Sequence, residues 1–93
     1  MPTDEELKKK ANEILCCVYI VANGEQDRNI YETDLIKEVD LKYNTNYRWK
    51  LPENVMQYLA NNGFIKWREF SKDSIALTAL GIKTVEESSI CDN

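Results

Sequence analysis

Histidine is absent from the 93 residues, which removes the commonest general base and the commonest metal ligand. The three cysteines, Cys16, Cys17 and Cys91, have no C-x-x-C spacing, so no structural zinc site is expected. A Gly-rich phosphate loop is missing too, and the carboxylates are scattered along polar helix faces without a nucleophile, base and stabiliser to assemble. The expectation is a protein that is not an enzyme and holds no cofactor or metal. No run of about 18 apolar residues is present, and the opening residues Asp4, Glu5, Glu6, Lys8, Lys9 and Lys10 are unlike the apolar core of a signal peptide. An intracellular protein, in the cytoplasm of the producing or host cell, is expected. Internal repeats, low-complexity runs and linkers are also lacking, so residues 1–93 are read as one domain, short enough that an oligomer would help its stability.

Three is an odd number of cysteines. Adjacent Cys16 and Cys17 on one helix point about 100° apart and would need distortion to bond each other. Any disulfide therefore joins one of them to Cys91 or to a second chain. Three reduced thiols are the expectation for a mesophilic cytosol, with hyperthermophile cytosols as the exception.

Basic charge is scarce overall: the formal net charge is -4. Its distribution is uneven. Residues 42–72 carry six cations (Lys42, Arg48, Lys50, Lys66, Arg68, Lys72) against Glu53 and Glu69, a balance of +4, and the remainder carries -8. One basic segment on an acidic body fits a local electrostatic footprint for nucleic acid, or a solvated charge run.

What is present is a strong helical period. Thr3 and Glu6 have capping-box spacing. Leu7, Ala11, Ile14, Leu15, Val18, Val21 and Ala22 then recur at spacings of mostly three and four, up to the stop at Asn23-Gly24. Between Ile14 and Ala22 nearly every residue is apolar, with Cys17 and Ile20 off the main stripe, so this helix is expected to be buried on two sides, by the core and by a partner subunit. A β-strand is the competing reading of this stretch, since Cys, Val, Tyr and Ile suit strands.

Ile30-Tyr31-Glu32 suggests a short strand, and Thr33 a cap for a second helix that buries Leu35, Ile36 and Val39. A third helix is predicted from about Leu51 or Pro52 to Asn62, with Val55, Met56 and Leu59 inward and Glu53, Asn54, Gln57 and Asn61 outward. Two strands follow, from Phe64 to Phe70 and from Ser74 to Leu77, around a turn at Ser71-Lys72-Asp73. Alternation assigns Ile65 and Trp67 to the core and Lys66 and Arg68 to a basic row; the alternative for Trp67 and Phe70 is stacking on the bases of single strands. Thr78 is expected to cap a fourth helix carrying Leu80, Ile82 and Val85.

Two helices followed by a hairpin is the order in which a helix-turn-helix unit presents its second helix to a major groove. Asn and Gln can pair with adenine, and Arg and Lys with guanine. Asn54, Gln57 and Asn61, with Arg48 and Lys50 just before them, are therefore the candidate base-reading residues. Lys66, Arg68 and Lys72 on the hairpin suit phosphate or minor-groove contact.

Three local patterns carry a resemblance to the winged-helix family: Val55-Met56-Gln57-Tyr58-Leu59-Ala60-Asn61-Asn62-Gly63-Phe64-Ile65, the hairpin after it, and Ile75-Ala76-Leu77-Thr78-Ala79-Leu80-Gly81. With the first helix, the match covers about residues 4–88. It implies an α+β winged helix-turn-helix fold, with a three-helix core, a β-hairpin wing and a C-terminal helix. Within the family the chain resembles small dimeric regulators of the MarR-like and PadR-like kind, and virus-encoded winged-helix proteins of thermophilic archaea. The resemblance implies sequence-specific binding of double-stranded DNA by a homodimer that regulates transcription. Cys17 and Ile20, with Val85 and Ile90 near the C-terminus, would form the dimer interface. The alternative is a winged helix that binds another protein instead of DNA, to which the acidic net charge is suited.

Overall fold

A computed structural model describes residues 4–48, 50–68, 71–88 and 90–91, with backbone alone at 68 and 71–73. Along the chain run α1 (Asp4–Val21), β1 (Ile30–Tyr31), α2 (Glu32–Tyr43), α3 (Glu53–Asn61), β2 (Ile65–Arg68), β3 (Ser71–Leu77) and α4 (Ala79–Ser88). The strands form one antiparallel sheet in the order β1-β3-β2. The protein is thus an α+β fold in which α1 packs against α2, α3 and α4.

Helix α1 opens with Asp4, Glu5 and Glu6, acids that suit the positive end of the helix dipole. Its second half is enclosed: Ile14, Leu15, Cys16, Cys17 and Val18 are each at most 1% exposed. Five consecutive buried residues cover the whole helix circumference, so a helical reading of this apolar stretch holds over the strand alternative. The enclosure comes from this chain's own helices. Cys17, expected off the stripe at a subunit interface, lies in the core, whereas Ile20 is exposed. The helix stops where Asn23 and Gly24 turn left-handed and the Gly24 N–H donates to the Tyr19 carbonyl. Thr3 lies outside the described residues.

Cys16 is bonded to Cys91, which ties the end of the chain to the middle of α1, and Cys17 is left as a free, buried thiol. The expectation of three reduced thiols is corrected accordingly. Burial, with Glu38 nearby, pushes the Cys17 thiol up to about 12.

Helix α2 begins one residue after β1 without a side-chain cap. Tyr31, held extended by pairing with β3, occupies the cap position, so Thr33 falls inside the first turn instead of capping it. Leu35, Ile36 and Val39 are buried as the period predicts, and Asn44 ends the helix with a φ of 55°. In α3 Pro52 takes the cap position, where its missing N–H costs nothing. Val55, Met56 and Leu59 face the core. At its end Gly63, with a φ of 77°, lets the Phe64 N–H reach the Leu59 carbonyl, and the chain turns into β2.

The hairpin differs from its prediction. Ser71, Lys72 and Asp73 belong to β3 and not to a turn. Between the pairs Trp67↔Ile75 and Arg68↔Ser71 the ladder advances one residue on β2 and four on β3, so an irregularity absorbs the polar residues expected at the tip. Trp67 is corrected as well: it is 43% exposed, while its strand neighbour Ile65 is buried. Phe70 lies outside the described residues.

Thr78 caps α4 as expected, its hydroxyl accepting from the Gly81 N–H at 3.0 Å and facing the carbonyls of Gly63 and Phe64. Leu80 is exposed instead of buried, because Gly81 takes the inward position. A Cβ at Gly81 would stand 2.8 Å from Leu77 Cδ1 and collide with the Phe64 carbonyl, so α4 seats on the sheet only through a residue lacking one. Val85 is buried in the core; like Cys17, it packs within this chain and is not held open for a partner. No helix among the described residues is long and apolar enough to cross a membrane.

Candidate nucleic-acid interface

The connection 44–52 between α2 and α3 is longer than the turn of about three or four residues in a minimal helix-turn-helix. Two carboxylates of α2 hold it. Asp40 accepts from the Thr45 hydroxyl at 2.7 Å and the Tyr47 N–H at 2.9 Å through one oxygen, and from the Arg48 N–H at 3.2 Å through the other. These donors hold the Asp40 carboxyl below its ordinary range, the Thr45 hydroxyl first among them. Farther along, the Leu51 N–H donates to Glu32 Oε1 at 3.2 Å. Both ends of α2 thereby fix the path into α3. A polar run such as Asn44-Thr45-Asn46 signals a turn, but nothing in the spacing identifies which acid closes it.

Arg48 sits in this connection with a φ of 53°, its Nε–H donating to Asn46 Oδ1 at 2.6 Å. Lys50 Nζ is 3.9 Å from Glu53 at the start of α3, and both side chains are largely exposed. On the outward face of α3, Asn54, Gln57 and Asn61 are all exposed. Gln57 Nε2 donates to Asn61 Oδ1 at 2.8 Å, so these two amides orient each other. Five of the eight candidate contact residues therefore lie on one helix or immediately before it.

Helix α3 packs against β2, which carries the next candidates. Lys66 is exposed, but its Nζ lies 2.6 Å from Asp27 Oδ1. That acid comes from the loop after α1, pinned to the sheet by its own N–H on the Leu77 carbonyl. The pairing sets an acid against Lys66, and no local sequence signal links residues so far apart. Arg68 and Lys72 lie on the hairpin by backbone position, and their side chains are outside the described residues.

Of the four residues assigned to a dimer interface, Cys17 and Val85 are buried in the core, Ile20 is exposed and Ile90 is half-buried. Ile90 lines a cleft of about 500 Å³ with Lys8, Lys9, Glu13 and Tyr43, along the N-terminal half of α1. Comparison with known protein families, curated proteins and solved structures finds no match for this chain.

Proposed function

We propose that this chain is a winged-helix domain that binds double-stranded DNA, with α3 as its recognition helix and the β2–β3 hairpin as its wing. The observation that carries the reading is the outward face of α3. It presents Asn54, Gln57 and Asn61 in the basic segment, on a helix that follows α2 and precedes a hairpin. Amides at three- and four-residue spacing can address adenine edges in a major groove. Arg48 and Lys50 stand where the chain enters α3, suited to guanine or phosphate. A homodimer regulating transcription is the form of the function proposed, with Ile20, Ile90 and the α1 surface as the subunit contact.

Selection of bound duplexes from a random-sequence pool tests this. The expected outcome is an enriched sequence, with affinity falling steeply with salt as phosphate-bound counterions are released. Gln57→Ala or Asn54→Ala then alters the enriched sequence, whereas Arg68→Ala or Lys72→Ala weakens binding to every duplex. Absence of duplex binding at low salt overturns the reading. A protein-interaction module is the second reading, favoured by Leu41, which stands 83% exposed on α2. A partner complex weakened by Leu41→Asp and indifferent to DNA would support it instead.

A further inference from the structure

The described residues leave five large apolar side chains exposed: Ile20, Tyr31, Leu41, Trp67 and Leu80. Four of them lie in the acidic remainder of the chain. Trp67 alone falls within the basic segment 42–72. Its position is set by the sheet, where Ile30, Ile75 and Trp67 pair as one row across β1, β3 and β2. The first two are 1% and 2% exposed, and the row opens to solvent only at Trp67, on an edge strand, at 43%. In sequence it stands between Lys66 and Arg68, and residues 64–72 carry three cations against Glu69.

We propose that the Trp67 indole is a DNA-contacting side chain, resting its exposed ring against the sugar edge of the duplex beside the site of α3. The inference builds on the DNA-binding reading above and names a contact that reading lacks. The +4 sequence balance of residues 42–72, with Lys66 already 2.6 Å from Asp27, favours a polyanion on this side of the molecule over an acidic or apolar partner. An indole against deoxyribose contributes apolar contact and one N–H donor without displacing a counterion. Trp67 therefore adds affinity for all sequences and leaves the salt dependence unchanged, which separates it from the lysines and arginines around it.

The chain has two tryptophans, so Trp49→Phe leaves Trp67 as the single reporter. Titration of this protein with a duplex selected from a random pool is expected to quench and blue-shift its emission. Trp67→Ala is expected to weaken binding roughly fivefold to tenfold at every salt concentration, at the low end of measured aromatic contacts to nucleic acid, with the slope of log affinity against log salt unchanged. Trp67→Phe retains most of the affinity. If Trp67→Ala fails to fold by circular dichroism, Trp67→Phe and the emission change decide. If Trp49→Phe fails to fold, acrylamide quenching of the native protein compared with Trp67→Phe isolates the same signal. Emission that stays constant while the duplex binds overturns this inference and spares the DNA-binding reading. Emission that responds to protein concentration and not to DNA overturns it in favour of a contact between copies. Failure of the native protein to bind any duplex at low salt overturns both.

Discussion

Helix α1 and the β2–β3 hairpin are anchored by different means. The second half of α1 is surrounded by α2, α3 and α4, bonded covalently to the C-terminal segment at Cys16, and linked to α4 by the Tyr19 hydroxyl donating to Glu86 at 2.8 Å. The hairpin buries Ile65, Ile75 and Leu77 in the same core, but it is an edge: β2 pairs on one side only, its ladder slips after Trp67, and its ties to the loop after α1 are an exposed ion pair and the Asp27 N–H on the Leu77 carbonyl. Apolar burial and a covalent link are not weakened by ionic screening, whereas exposed ion pairs are. Both regions share the core, and the contrast lies in what is added to it: a covalent tie on the α1 side, exposed polar contacts on the α3 and hairpin side.

The largest test of this division is removal of the disulfide. Cys16 and Cys91 are separated by 75 positions, and a loop of that length constrains the unfolded chain by about 4 kcal/mol. Cys91→Ser is expected to lower the free energy of unfolding by about that amount in urea titrations. Affinity of each folded chain for a single half-site should stay unchanged. A parallel loss of affinity under conditions where the variant remains folded would break the separation between frame and face.

The next test falls between the two regions, on Asp40. Its folded carboxyl titrates below its ordinary range, so its contribution is present at neutral pH and is lost as pH falls through that depressed value, on the acid side of the ordinary carboxylate range. Amide resonances of Tyr47 and Arg48 are expected to shift together in that acid range, and Asp40→Asn should abolish the transition. Asp40→Ala should weaken DNA binding at neutral pH by releasing the path into α3, measured by mobility shift. Equal affinity in Asp40→Ala and native protein would show that the connection does not position Arg48 for binding.

Much of this arrangement is legible in the sequence because it depends on local rules. The period of α1, the Asn23-Gly24 and Asn62-Gly63 stops, the inward set of α3 and the Thr78 cap all follow from residues within a few positions of one another. The errors fall where distant packing decides. Cys17 looks peripheral on a helical wheel, but α2, α3 and α4 pack around the stretch Ile14–Val18 and make its position interior. Strict alternation would bury Trp67, yet the sheet ends at β2 and its ladder slips there, and the described residues leave the ring partly exposed. Leu80 yields the inward position to Gly81 because the Phe64 carbonyl leaves no room for a Cβ. The candidate reading face was visible as amides at helical spacing, whereas the acids that restrain it, Asp40, Glu32 and Asp27, are brought in by the fold.

The smallest expected effect concerns Asp27 and bears most directly on the hairpin. Its pair with Lys66 is half-exposed on both sides, and such surface pairs contribute about 0–1 kcal/mol. Asp27→Asn should therefore shift the urea midpoint little. It removes a carboxylate that competes with phosphate for Lys66, so DNA affinity should rise several-fold at low salt, and the slope of log affinity against log salt should steepen by about one unit for the cation released. On the proposed DNA-binding reading, the same acid would discriminate against loosely bound DNA, because a phosphate would have to displace it before Lys66 contributes. A rise in affinity without a change in slope would place Lys66 away from the backbone and leave Arg68, Lys72 and the Trp67 ring as the hairpin's candidate contacts.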